Sequence, residues 1–528
     1  MESGSKEKIT KSAGRISGAT ILSRILGLAR DSLFAAIFGT TFYADAFNVA
    51  FLIPNFLRRV FGEGTLNASY VPVYTHYLHR EGEIPAARLA GKLFSVMMVV
   101  LAAVVLVGAV LAGPIVHVYA FGWRGSPETM SLTVKLTRLL FPYIFFVALA
   151  AVAGGTLNSR GYFAVPAFAP AFLNIALIAA GAILLKSSLG TGERAITIFS
   201  AGALVGGALQ LVAQAPLLRK TGHRLKFDPD FTDPGVKWIG RLMLPGLLAF
   251  AVTQINVFVD MLLATTLPTG SVTALRLGNR VAIQPLGIFG VAITTAALPT
   301  LAAHAAEDDK HKLIEDFAFS LRLMLALLIP STVGLMVLAK PVVRLLFERG
   351  EFTAARSTPM TVNALLFYTV GLSAYGGVKA VVQAFYSLKD TMTPMKVAIF
   401  NVGLNVVLDL VLIRYLGLVG LALATAVSSA AGFAILCWLL SRRLGDIRGP
   451  EIWKAVGKML VVSALTGVTL YFVAGALAPW ALNIWGKLLQ VAVSAVAGLA
   501  VLLAAGLALR AEEIIFLLKI MAKVRVRR

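Results

Sequence analysis

Six arginines sit where arginine is costly, inside apolar stretches about as long as a bilayer is thick. Arg24 and Arg30 lie in SGATILSRILGLARDSLFAAIFG, Arg58 and Arg59 in IPNFLRRVFGEG, and Arg276 and Arg280 in RLGNR. A charge at bilayer depth costs about 2.5–3.5 kcal/mol even on the lenient insertion scale, so such a residue faces a partner or a water-filled cavity. The acids nearby, Asp31, Asp45 and Glu63, are too few to neutralise all six. Surplus positive charge facing a cavity calls for an anionic ligand, and the planar guanidinium fork suits phosphate oxygens. For any single arginine, a buried ion pair or a carbonyl clamp explains the residue equally well.

Spacing refines the set. Arg24 and Arg30 are six residues apart, about 120° on an ideal helix, with Gly27 between them as a place to bend or unwind. Arg59 and Glu63 stand at i and i+4, the spacing of a local ion pair, which leaves Arg58 as the odd charge beside Pro54 and Asn55. Arg276 and Arg280 share one helix face, followed by Gln284 and Pro285. A second constellation has the opposite sign: Asn256 and Asp260, then Asn401, Asn405 and Asp409 at successive i, i+4 positions, and Thr425. These are hard oxygen donors suited to Na⁺ or to a proton relay. The alternative is a hydrogen-bond network gluing helices together.

The elements that position these groups follow from composition. The chain has 528 residues, 58% hydrophobic and 14% charged, with a mean hydropathy of +0.82. Repeated apolar runs of about 20 residues predict an all-α, polytopic membrane protein. About fourteen spans are expected, the first near 16–38, the second near 44–74 and the seventh near 238–267. The net charge of +22 would suit nucleic acid, but its distribution excludes that reading. With the N-terminus inside, 30 Lys/Arg fall in cytoplasmic ends and loops and 8 in outside loops, which obeys the positive-inside rule and puts both termini in the cytoplasm. Topology and contact with anionic membrane lipids account for most of that charge, and ten of the 48 Lys/Arg remain inside the expected spans. Lys135, Arg138 and Lys487, near span ends, can snorkel to the interface. No phosphate-cradling GxxxxGK[ST] or zinc-type spacing is present, and Cys437 stands alone, so neither an ATPase nor a metalloenzyme is indicated.

The chain also resembles itself. LLF at 139–141 recurs at 365–367, FGEGTLNASYVP at 61–72 is echoed by FGVAITTAALP at 289–299, and NSRGYFAVP at 158–166 by YSLKDTMTP at 386–394. These matches in order at nearly one offset predict two pseudo-symmetric six-helix lobes, residues 1–220 and 221–445, with two extra helices and a basic tail in 446–528. Transporters of that build hold substrate between the lobes and work by alternating access.

SRILGLARD at 23–31, ADAFNVAFLIPNFLRRVFGEG at 44–64 and NRVAIQPLGIFGVAITTAALPTLA at 279–302 resemble the MurJ (MviN) family of lipid II flippases, in the multidrug/oligosaccharidyl-lipid/polysaccharide exporter superfamily. One departure is FGEG, where the family commonly has Ala before the Glu. The resemblance implies a non-enzymatic transporter of the bacterial inner membrane. It would move undecaprenyl-pyrophosphate-linked disaccharide-pentapeptide to the outer leaflet for peptidoglycan synthesis. It places the family's essential arginines on Arg24, Arg30, Arg58 and Arg280, its DAF aspartate on Asp45 and its EG glutamate on Glu63. From the spacing alone, Asn55 beside Arg58 is a further candidate substrate contact, and Arg59 and Arg276 join Asp45 and Glu63 as candidate gating or ion-pair residues. The resemblance also implies that the last two spans hold the polyprenyl tail. Asp260, Asn405, Asp409 and Thr425 are the candidate Na⁺ set. Cell-wall synthesis proteins are candidate partners. Competing readings are a flippase for another polyprenyl-linked oligosaccharide, a cation-coupled drug exporter, a scaffold for wall enzymes, and an enzyme acting on polyprenyl phosphates.

Overall fold

In lipid every backbone N–H and C=O must be satisfied within its own segment, which favours helices. The computed structural model describes residues 18, 22–58, 65–187, 190–222 and 227–526, and every regular element among them is helical. Among the described residues eleven helical stretches are long and apolar enough to cross a membrane, on the expected spans 3–6 and 8–14. The first and second expected spans run partly outside the described residues, and the seventh is divided between helices Pro234–Thr253 and Ile255–Ala264, so a count of fourteen is not confirmed.

The chain forms two compact units. Unit 1 covers Met1–Val272 with Arg349–Phe352, and unit 2 covers Thr273–Glu348 with Thr353–Arg528. Unit 1 holds α1 (22–38), α2 (Phe42–Arg58), α3 (Thr65–Arg80), α4 (Glu83–Val110), α5 (Ala112–Tyr119), α6 (Pro127–Leu140), α7 (Pro142–Ser159), α8 (Ala164–Lys186), α9 (Glu193–Val212), α10 (Ala215–Lys220), α11 (Pro234–Thr253) and α12 (Ile255–Ala264). Across the boundary starts α13 (Ser271–Ala282), followed by a π turn at Leu286–Gly290 and α14 (Val291–Ala306). Unit 2 continues with α15 (Lys310–Val337), α16 (Ala339–Leu346), α17 (Ser357–Val370), α18 (Leu372–Ser387), α19 (Met392–Leu416), α20 (Leu418–Leu444), α21 (Gly449–Leu477), α22 (Ile484–Ala508) and α23 (Glu512–Val526).

The internal repeat is visible in helix lengths. In order, α4 and α15 both have 28 residues, and α5 and α16 both 8. The fourth and tenth spans each break in the middle, at Phe141 between α6 and α7 and at Gly371 between α17 and α18. The first break has a local cause, since Pro142 has no N–H to continue the ladder. Small residues let neighbours close up: a Cβ on Gly206 of α9 would meet Leu173 Cα of α8 at 2.8 Å, and one on Gly432 of α20 would meet Asn401 of α19. The lipid-facing character of α21 and α22 shows in Trp453, Tyr471, Phe472 and Trp485, all exposed.

Two side-chain clamps fix connections. Lys92 Nζ donates to Asp230 Oδ2 (2.8 Å) and Asp233 Oδ2 (2.9 Å), pinning the segment before α11 to α4. Hydrogen bonds from Lys92 and Thr232 hold the Asp230 carboxyl well below the usual range. For Asp233 burial opposes the charge, but bonds from Lys92 and from the Val236 and Gly235 N–H groups outweigh it. Both native values are depressed, so the stabilisation is complete above the ordinary aspartate pKa of about 3.9 and is lost as pH falls through the lowered ones. Lys92→Met should raise amide exchange over residues 228–236 several-fold at neutral pH; unchanged exchange would show that other contacts hold the segment. In unit 2, Lys487 of α22 does not snorkel. It is 9% exposed and donates to the Glu348 carboxylate at 3.1 Å and carbonyl at 3.2 Å. Arg344 and Thr358 also donate to that carboxylate, and these bonds hold it below the usual range against the opposing effect of burial.

Within unit 1 the tetrapeptide Arg349–Phe352 caps the end of α1. Glu351 N–H donates to Ala36 O at 2.9 Å. Gly39 and Gly350 both have positive φ (55° and 56°), and a Cβ on Gly350 would lie 2.2 Å from Ala36 O. Gly350→Ala adds left-handed strain of about 1 kcal/mol or more to that clash. It should lower the melting temperature; an unchanged one would mean that the loop relocates freely.

Candidate functional site

The candidate arginines of the first unit among the described residues, Arg24, Arg30 and Arg58, stand on two helices. Residues 22–38 form one uninterrupted helix, so Gly27 does not unwind and Arg24 and Arg30 keep their helical separation. Arg24 is half-buried. Arg30 is held from two sides: Nη2 and Nε donate to Asp31 Oδ1 at 2.7 and 3.2 Å, and Nη1 donates to Asn174 Oδ1 of α8 at 3.0 Å. Asn174 in turn donates to Ser23 O at 3.2 Å. Asp31 is 1% exposed, so the ion-pair reading applies to Arg30. These bonds fix its orientation while using three of its five N–H donors.

Arg58 ends α2. Its Nε donates to Asn55 Oδ1 at 2.9 Å, so the adjacent asparagine orients the guanidinium. Arg58 lines a cavity of about 270 Å³ with Asn67, Asn158, Gln210 and Gln214. Gln214 is anchored through Nε2 to Ala150 O and Gln210 O, both 3.0 Å away. Its Oε1 is buried without a hydrogen-bond partner. An unmet acceptor at 1% exposure carries a desolvation cost of about 1–3 kcal/mol, which a donor entering the cavity would recover. A guanidinium beside four carboxamides can bind an anion that also carries hydroxyl or amide groups. Sequence reading missed the carboxamides because they come from separate helices; only the i, i+4 spacing of Gln210 and Gln214 signalled a shared face. Asn55 also lines a smaller cavity of about 200 Å³ with Gln254 and Tyr119.

Asp45, near the start of α2, is 2% exposed, and its Oδ2 accepts from Gly270 N–H at 2.5 Å. It therefore caps the segment leading into α13. Arg59 and Glu63 lie outside the described residues. Arg276 and Arg280 are half-buried on α13, and Gln284 Nε2 donates to Arg280 O at 3.1 Å.

The second constellation divides between the units. Asp260 is half-buried on α12 in unit 1. Asn405, Asp409 and Thr425 meet in unit 2, where Asn405 is 1% and Asp409 0% exposed. With its amide nitrogen toward Asp409, Asn405 donates to Oδ2 at 3.3 Å and accepts from Thr425 N–H at 3.2 Å, tying α19 to α20. With its amide oxygen turned there instead, two oxygens would face each other and the NH2 would meet the Thr425 N–H, so the first orientation alone satisfies both ends and makes the trio an interhelical tie. Among the described residues no group of three or more His, Cys, Asp or Glu converges as a metal site.

Comparison with known proteins agrees with this architecture. The family model described as lipid II flippase MurJ matches residues 34–490. The probable lipid II flippase MurJ of Vibrio cholerae is 35% identical over 477 residues, covering 88% of this chain and 89% of its own length. The lipid II flippase MurJ of Burkholderia cenocepacia is 33% identical, covering 85% and 88%. A solved lipid II flippase MurJ in an inward closed conformation superposes with a TM-score of 0.77 at 28% identity, over 94% of this chain and 98% of that one. An inward-facing multidrug MATE transporter of the MOP superfamily shares the fold, at 16% identity and a TM-score of 0.65 over 83% and 99% of the two chains. By its matched length and the identity of these relatives, the chain belongs to the MurJ family of lipid II flippases.

Proposed function

We propose that this protein is a transporter that flips lipid II, the undecaprenyl-pyrophosphate-linked disaccharide-pentapeptide, to the outer leaflet of the bacterial inner membrane by alternating access. The observation that carries the reading is Arg58, oriented by Asn55 and lining a cavity of carboxamides. The pyrophosphate is the group arginines hold, and the carboxamides suit the hydroxyl and amide groups of a sugar-peptide head. Arg24, and Arg30 through its remaining donors, serve the same anion, and the family resemblance gives Arg280 on α13 that role. Asp45 acts as a latch on the segment before α13. Both termini are cytoplasmic, as the charge asymmetry requires, and the repeat divides the working lobes at 1–220 and 221–445, with 446–528 appended for the polyprenyl tail.

Asn405, Asp409, Thr425 and Asp260 are the sequence's candidates for Na⁺, which would supply a driving force if bound, while the geometry of the first three favours a tie between α19 and α20. A cation-coupled drug exporter would need a net acidic cavity, which the arginines oppose. The test is binding of lipid II to the purified protein by native mass spectrometry, beside a polyprenyl monophosphate and a cationic drug. Lipid II is expected to bind preferentially; equal retention of all three would defeat the assignment.

A further inference from the structure

A second basic site lies in unit 1, away from the arginines of α1 and α2. A groove of about 810 Å³ runs along α5 and α6, lined by His117, Arg124, Lys135 and Arg138 together with the apolar Met130 and Val134. None of its described lining residues is acidic. Glu193 pairs with Lys135 from α9 and offsets one charge, so Arg124 and Arg138 remain as surplus. His117 Nδ1 donates to Gly113 O at 2.8 Å, which leaves Nε2 as the ring nitrogen available to a ligand. The Arg124 guanidinium lies 4.2 Å above the Phe121 ring, a cation–π contact that limits where it can swing.

Depth places this groove at a membrane surface. The α6–α7 stretch, Pro127–Ser159, has 33 residues and spans about 50 Å at 1.5 Å per residue, against about 30 Å of hydrocarbon. Counting back from Ser159, Arg138 sits roughly 32 Å away, at the far hydrocarbon boundary. Val118 (57% exposed) and Phe121 (45%) present apolar surface at the same end. In the orientation proposed above this is the outer side, where the positive-inside rule disfavours basic residues. Topology therefore does not account for them, and a ligand does.

We infer that the α5–α6 groove binds the headgroup phosphate of an anionic phospholipid in the leaflet at that face, between Arg124 and Arg138. Arginine matches phosphate oxygens bidentately, and basic pockets among membrane helices hold anionic headgroups. Met130 and Val134 give the glycerol backbone and first acyl carbons an apolar wall, which a free phosphate ion would not use.

The full-length protein is compared with an Arg124→Gln/Arg138→Gln variant by native mass spectrometry, with phosphatidylglycerol and phosphatidylcholine offered together. Lys135 is left intact to preserve its pair with Glu193. Phosphatidylglycerol adducts should fall about tenfold or more in the variant, as expected for two lost charge-assisted bonds, while phosphatidylcholine and lipid II adducts stay unchanged. Unchanged phosphatidylglycerol retention would overturn the inference. A parallel fall in lipid II would overturn it too, by giving the groove to the substrate's route. Displacement of the lipid by millimolar inorganic phosphate would show a site for bare phosphate and defeat the lipid assignment. Circular dichroism checks the fold, and if the double variant misfolds, Arg138→Gln alone is read in the same way. Because Arg58→Ala should keep its phosphatidylglycerol adducts while losing lipid II, failure here is separable from failure of the flippase reading.

Discussion

Arg58→Ala should lower lipid II affinity by about 10- to 100-fold and reduce flipping in reconstituted vesicles in proportion. The magnitude is that of one hydrogen-bonded charge, about 1.5–3 kcal/mol, at 1.4 kcal/mol per factor of ten. Arg58 is the arginine to test because its Nε rests on Asn55 and its side chain lines the carboxamide cavity. Arg30, by contrast, also supports the α1–α8 contact through Asn174, so its loss would mix binding with stability. Arg58→Lys separates charge from geometry: it keeps the positive charge but not the planar fork, and should recover only part of the affinity. Asn55→Ala should give a smaller loss, by releasing the guanidinium's orientation. If Arg58→Ala bound and flipped lipid II normally, the arginine would be structural and the pyrophosphate assignment would fail.

The second large effect is expected at Asp45. Its carboxylate accepts from the buried Gly270 N–H, and Gly270 has φ +96° with its Cα face against Thr40. Asp45→Ala leaves a buried donor unmet at a cost of about 1–3 kcal/mol, enough to shift a two-state closure by about 5- to 140-fold. Flipping should fall, and a cysteine placed at Ser271, which is 1% exposed, should become reactive to an impermeant maleimide from outside. Asp45→Asn keeps a carbonyl acceptor and should show a weaker version of both effects. Unaltered labelling in Asp45→Ala would remove the latch role.

Much of this molecule was legible in its sequence for a physical reason: a chain in lipid has few ways to satisfy its backbone. Apolar run lengths gave the helical class, and self-similarity anticipated the paired helix lengths of α4–α5 and α15–α16. The costly arginines announced themselves because charge at bilayer depth is rare. Yet the sequence alone left open whether each arginine was paired. It could not tell that Asp31 and Asn174 hold Arg30 while Asn55 steers Arg58.

Other features depend on distance in the chain. Lys487 read as a snorkelling end residue until the fold buried it against Glu348. The carboxamides around Arg58 come from different helices, each ordinary in its own segment, and no spacing links Asn67 to Gln214. The tetrapeptide Arg349–Phe352 caps α1 from far along the chain through one carbonyl, Ala36 O, and two left-handed glycines. The sequence by itself determined the helical class, eleven of its spans and the charges they must shelter, because those follow from local solvation in lipid. Which side chains share a cavity, a clamp or a cap was decided only by tertiary packing, because those contacts join residues that no local periodicity relates.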